Sequence, residues 1–197
     1  MKQAINVYAE MTPNPNSLKF VADKIIIPTA KSAEFNSLLD AKGKSPLAEA
    51  LFLFPFVKGV FMASNFITVV KSEEVPWDFV QMEVREFIKE WLSEDKEIII
   101  QFPENRNESD NTNSTIQFTK SEFDEEIISL LDEYVRPAVE GDGGAIDFVG
   151  YQDGKVHLLL KGSCSGCPSS TATLKFGIES LLKQHIPSIE EVVAVNA

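Results

Sequence analysis

Cysteine is nearly absent from this sequence: its 197 residues include only Cys164 and Cys167, three positions apart. A disulfide framework of the kind that staples small secreted domains needs several pairs spread through the chain, so that class is excluded and a reducing, cytoplasmic setting is expected. Basic residues are also scarce. Eighteen Lys and Arg stand against 30 Asp and Glu, giving a formal charge of −12 and a pI near 4.6. Such a balance lacks the electrostatic footprint for phosphate backbones or anionic lipid headgroups, which argues against nucleic-acid and membrane partners. No apolar run approaches the roughly 18 to 20 residues that a bilayer span requires. The stretch Met1 to Asn16 holds one Lys, no Arg and no apolar core of a secretory signal, so neither export nor import is expected.

The hydrophobic share of 44%, with 14 Phe, is enough for ordinary cores. Charge is unevenly placed. Residues 1–93 carry 11 acids and 10 bases, residues 94–126 carry 10 and 3, and residues 127–197 carry 9 and 5. Within the acidic middle, PENRNESDNTNST from Pro103 to Thr115 has no aliphatic or aromatic side chain and so cannot offset the entropy of ordering. The expected organisation is α+β: two small α/β domains, residues 1–102 and 121–197, joined by a flexible acidic linker over 103–120.

In the first half, short strands are expected at Leu18–Val21, Lys24–Ile27, Gly59–Met62, Phe66–Lys71 and Ile98–Ile100. Ser45-Pro46 has the chemistry of a helix start, with a capping hydroxyl followed by Pro at the first helical position. A second helix is expected from Pro76, with Trp77, Val80, Val84, Phe87, Ile88 and Trp91 at helical spacing. Its aromatic stripe reads as core. The second half predicts helix, strand, strand, helix, strand. Ser121 would cap a helix with Phe123, Ile127, Leu130, Leu131, Tyr134 and Val135 on its apolar face. Strands Ile146–Tyr151 and Lys155–Lys161 flank Asp153-Gly154, a hairpin turn. Pro168 opens a helix that Pro187 ends, and Val192–Val195 closes the domain.

Cys164-Ser165-Gly166-Cys167 lies at the junction between a strand end and that helix start. The helix N-terminus favours thiolate over thiol, and thiolate is the form that binds metal or attacks disulfides. Gly162 and Gly166 allow tight backbone turns beside a bulky group, and Ser163, Ser165, Ser169 and Ser170 line it with small polar side chains. C-x-x-C serves thiol-disulfide exchange, zinc and iron-sulfur ligation alike. Complete ligation of an iron-sulfur cluster by protein takes four thiolates and one chain has two, so two chains would be needed. An interface of that kind suits holding a cluster and giving it away. The histidines are weaker candidates: His157 falls out of phase with Val156, Leu158 and Leu160, and His185 suits the negative end of the last helix. Asp142 and Asp147 could pair near the Gly141-Asp142-Gly143-Gly144 turn, but no nucleophile and base accompany them, and the turn lacks the G-K-[ST] ending of a phosphate loop.

The runs VRPAVEGDGGAIDFVG, KVHLLLKGSCSGCPSSTATLKFGIESLL and IPSIEEVVAV closely resemble the NifU-like C-terminal domain of Nfu-type iron-sulfur scaffold proteins. MTPNPNSLKF and SPLAEALFLFPFVKGVFMASNFITVVK resemble the N-terminal domain that precedes it in longer members. The resemblance implies a non-enzymatic scaffold and carrier, homodimeric when loaded, with Cys164 and Cys167 of each chain binding a [4Fe-4S] or [2Fe-2S] cluster. Its implied partners are upstream cluster assembly proteins and client apoproteins. Two alternatives remain from the residues themselves: a thiol-disulfide oxidoreductase cycling the C-x-x-C pair, and a zinc-stapled dimerisation module.

Overall fold

The computed structural model describes residues 4–28, 31–103, 118, 120–165 and 168–196. The chain folds as two compact units, Met1–Pro103 and Glu104–Ala197, each mixing helix and sheet. Apart from Pro103, Phe118 and Lys120, the expected linker 103–120 lies outside the described residues.

The first unit is an antiparallel five-stranded sheet in the order β1-β2-β5-β4-β3, formed by β1 (Val7–Met11), β2 (Ser17–Ala22), β3 (Ser32–Phe35), β4 (Val57–Ala63) and β5 (Phe66–Lys71). Three helices accompany it: α1 (Leu38–Ala41), α2 (Pro46–Leu51) and α3 (Trp77–Ser93). Ser45 caps α2 as its sequence predicts, its hydroxyl accepting from Ala48 N–H at 3.1 Å while donating to the Ile98 carbonyl at 2.6 Å. Val80, Val84, Ile88 and Leu92 recur every four residues along α3 and are buried against the sheet. Trp77 meets Phe20 edge-on at 6.2 Å, and Phe87 packs between Phe54 and Trp91, so the aromatic stripe is core.

Two expected strands do not form. Ile26 and Ile27 both donate to the single carbonyl of Ser64, which leaves no ladder at Lys24–Ile27. Ile98–Ile100 is a strap: Ile100 N–H reaches the Lys44 carbonyl at 2.7 Å, and Ile98 and Ile99 press on the core. The edge strands β1 and β3 were not expected, because five and four residues with polar members give too short an alternation to read.

The second unit has the predicted order. α4 (Asp124–Leu130) passes through a π-helical stretch, Leu131–Val135, into α5 (Arg136–Gly141). Pro137 accounts for the widening, since its ring would collide with the carbonyl of Glu133 in a regular α-helix and it has no N–H to offer. Ser121 does not cap α4: its hydroxyl accepts from Phe123 N–H in a preceding turn, and its own N–H goes to the Asp124 carboxylate. β6 (Gly144–Gln152) and β7 (Lys155–Gly162) form an antiparallel hairpin through Asp153 at φ 50° and Gly154 at φ 78°. α6 (Pro168–His185) then carries the chain to β8 (Glu191–Asn196), which lies parallel to β7 with Leu160 opposite Asn196. Ile127, Leu131 and Val139 from the first helices, Ile146, Leu158 and Leu160 from the sheet, and Ile178 and Leu182 from α6 share one core.

A candidate metal centre at the end of β7

The β7–α6–β8 crossover places one loop at the carboxyl end of a parallel strand and before a helix N-terminus, where α/β folds hold ligands. That loop begins at Gly162, whose φ of 68° is left-handed, and it carries Cys164. The backbone is tied on both sides. Ser163 N–H donates to the Gly143 carbonyl at 3.3 Å, and the buried Ser163 hydroxyl donates to the Asp142 carbonyl at 2.5 Å. Ser165 closes on Gly162 through both its N–H and its hydroxyl, at 3.2 and 2.9 Å. From the α6 side, Thr171 Oγ1 donates to the Cys164 carbonyl at 3.1 Å. The glycine-rich turn thus serves as the anchor of the cysteine loop.

Cys164 is a free thiol, 6% exposed, and packs into the core of the second unit. The sequence places it where thiolate is favoured, but the structure reverses this. Burial pushes its thiol above the ordinary value, the Asp142 carboxylate pushes the same way, and only the Ser163 hydroxyl opposes them. The close approach is possible because residue 144 is glycine: a Cβ there would lie 2.8 Å from Cys164 Sγ and 2.7 Å from the Lys161 carbonyl oxygen. Gly166 and Cys167 lie outside the described residues, as do the side chains of Ser169 and Ser170.

The remaining candidates are dispersed. His157 lies against the Phe118 ring at 4.8 Å, and burial followed by the Lys155 charge holds its imidazole below the ordinary value, with Glu191 opposing. His185 stacks near Tyr134 in the last turn of α6. Asp147 does not pair with Asp142; it meets Lys161 Nζ at 2.8 Å and Arg136 at 3.8 Å. Among the described residues no group of three or more His, Cys, Asp and Glu side chains is placed to hold a metal ion. No helix among them is long and apolar enough to cross a membrane. Sequence reasoning missed the Gly144–Cys164 contact and the Arg136–Asp147–Lys161 cluster. The second glycine of a pair entering a strand was the available signal for the first, since β interiors disfavour glycine unless something approaches closely.

Comparison with known proteins agrees with this two-part architecture. Residues 7–95 match the family model "Scaffold protein Nfu/NifU N terminal", and residues 127–193 match "NifU-like domain". The human protein called "NFU1 iron-sulfur cluster scaffold homolog, mitochondrial" is 36% identical over 194 residues, covering 96% of this chain and 71% of that protein. Its namesakes from Drosophila persimilis and Drosophila ananassae are 35% and 36% identical, and the chain spans only 66% and 64% of their lengths. A solution structure of a NifU-like protein from Saccharomyces cerevisiae is similar at a TM-score of 0.44 and 25% identity, covering 49% of this chain and 85% of that one. These relatives correct the cytoplasmic expectation, for all three curated proteins carry the label mitochondrial. Cysteine scarcity reports a reducing environment, and a second reducing compartment satisfies it equally.

Proposed function

The chain belongs to the Nfu/NifU scaffold family, and from that premise we propose that it holds an iron-sulfur cluster and hands it to client apoproteins, in the mitochondrial setting of its relatives. The ligands in this reading are Cys164 and Cys167, and two chains together supply four thiolates to one [4Fe-4S] cluster. The cluster is cargo, and the chain is a carrier rather than a catalyst. The observation that carries the reading is the coincidence of this family membership with a free thiol at the carboxyl end of β7, immediately before α6. That place fits a bulky inorganic anion, because the helix N-terminus stabilises negative charge and the left-handed Gly162 turns the chain aside.

Loading brings Cys164 out of its core contact and deprotonates it, and the proton goes to solvent. Metal binding supplies the free energy for both steps. Release is ligand exchange: thiolates of a client replace those of the carrier one at a time, and Cys164, once displaced and reprotonated from solvent, can return to its place in the core. The first unit is the part left to recognise partners, with the polar stretch 103–115 joining it to the carrier unit.

Native mass spectrometry after anaerobic treatment with iron and sulfide tests the reading, because chain count and inorganic content come from one ion. Two chains with four irons and four sulfides support it. A metal-free monomer overturns it, and two chains with a single zinc favour the stapled module instead.

A further inference from the structure

Residues 1–93 are close to neutral, yet six of their eleven acids fall between 73 and 90, where only Arg85 and Lys89 are basic. The acids are sorted by face. With Val80, Val84, Ile88 and Leu92 turned to the core, the solvent side of α3 presents Asp78, Phe79, Met82, Glu83, Glu86 and Glu90, of which Glu86 already pairs with Arg85 at 2.6 Å and Lys89 at 3.4 Å, and exposed Glu73 and Glu74 lead into it. In the middle of these carboxylates, Phe79 is 79% exposed and Met82 53%. Three residues apart on a helix, they are neighbours on one surface. An aromatic ring and a thioether side by side in water, ringed by charge, have the anatomy of an interface: an apolar anchor with a polar rim.

We propose that this face of α3 is a docking surface for a basic amphipathic segment of a partner protein, with Phe79 and Met82 entering the partner's apolar side and the surrounding carboxylates meeting its Lys and Arg. The sign of the charge selects the occupant. A second copy of this chain would set the carboxylates against themselves, and an anionic membrane would repel them. A basic partner gains from both parts of the surface: the carboxylates steer its approach and the apolar pair slows its departure. The surface belongs to the first unit, and the cysteine loop to the second.

The test uses the full chain, isotopically labelled, and two short synthetic helices of the same amphipathic pattern, one of leucine and lysine and one of leucine and glutamate. NMR shift mapping is expected to place the lysine peptide on the outer face of α3 and to find no binding of the glutamate peptide. The double variant Phe79→Ser, Met82→Ser is expected to weaken the lysine peptide by about tenfold, with melting temperature unchanged because both side chains are exposed. Raising salt is expected to weaken it further. The proposal is overturned if the double variant binds as wild type, or if the shifts fall on the acidic stretch 94–126 in place of α3. Self-association in sedimentation that the double variant abolishes would also overturn it, since the face would then be a contact between copies.

Discussion

Gly144 and Cys164 are packed so closely that the glycine hydrogen occupies the only space between them: a Cβ on residue 144 would sit 2.8 Å from Sγ, and 2.7 Å from the backbone oxygen of Lys161. The thiol could swing aside, but the carbonyl cannot without disturbing the β6–β7 ladder at Gly144–Gly162. Gly144→Ala is therefore expected to destabilise the second unit by about 1–3 kcal/mol and to displace the thiol from its position against residue 144. Denaturant unfolding measures the first effect. Alkylation of the native apo protein, read at Cys164 by peptide mass spectrometry, measures the second and should be faster than in wild type.

The buried thiol also makes stability depend on pH in a definite direction. Burial and the Asp142 carboxylate raise the folded-state value above that of the unfolded thiol, about 8.5. A raised folded value means that the contribution is fully present below the unfolded value and is lost as pH climbs through the folded one. Wild type is expected to lose stability above about pH 8.5 by more than Cys164→Ala does, the difference between their unfolding curves isolating this one group. Equal alkaline slopes would remove the buried neutral thiol from the account.

The Asp153-Gly154 hairpin and the Ser45-Pro46 helix start are legible in sequence because each depends on residues adjacent in the chain: two positive φ angles in the first case, a hydroxyl and a fixed φ in the second. Ile98–Ile100 is not, because a β-branched apolar run suits a strand and a strap equally, and the Lys44 carbonyl and Ser45 hydroxyl that decide between them lie about fifty positions away. The site divides in the same way. C-x-x-C at the strand-helix junction is readable from spacing, and so is the left-handed turn at Gly162. That Cys164 faces the core follows from Gly144, twenty positions earlier, and local rules about helix N-termini predict the opposite sign for its thiol.

Ser163 ties the cysteine loop to the glycine-rich turn through its hydroxyl bond to the Asp142 carbonyl. Ser163→Ala removes the donor and leaves that carbonyl short of a partner, at a cost of about 1–2 kcal/mol. Ser163→Thr keeps the hydroxyl but adds a methyl in a buried position, so it should recover only part of the loss. If the loop holds a cluster as proposed, loosening it is expected to speed cluster loss from the reconstituted Ser163→Ala protein under chelator, followed by the decay of visible absorbance.

The Lys161–Asp147 pair predicts an asymmetry between its two partners. The Lys161 side chain is 9% exposed and that of Asp147 39%, so removing the carboxylate leaves a largely buried ammonium beside Arg136 with its counter-charge gone. Asp147→Asn is expected to cost about 1–3 kcal/mol, and Lys161→Met less, since the apolar stem already lies in a dry place. Thermal melts of both variants and their double measure this, and a double variant more stable than Asp147→Asn alone is the expected sign of a stranded charge.

Replacement of the two cysteines separates the carrier reading from its rivals. If four thiolates from two chains hold one cluster, Cys164→Ser and Cys167→Ser should each abolish both the visible absorbance of the reconstituted protein and its loaded dimer. A mixture of either variant with wild type should yield loaded dimers only from wild-type pairs. Cys164→Ser places a hydroxyl in an apolar contact and should also cost the apo fold about 1–2 kcal/mol. A melting curve recorded beside the cluster assay distinguishes lost ligation from lost structure. A dithiol oxidoreductase would instead reduce insulin without metal and lose that activity in both variants, with no change in chain count. A cluster retained at full stoichiometry in Cys164→Ser would remove Cys164 from the ligand set, and the buried thiol would then be a packing residue of the second unit.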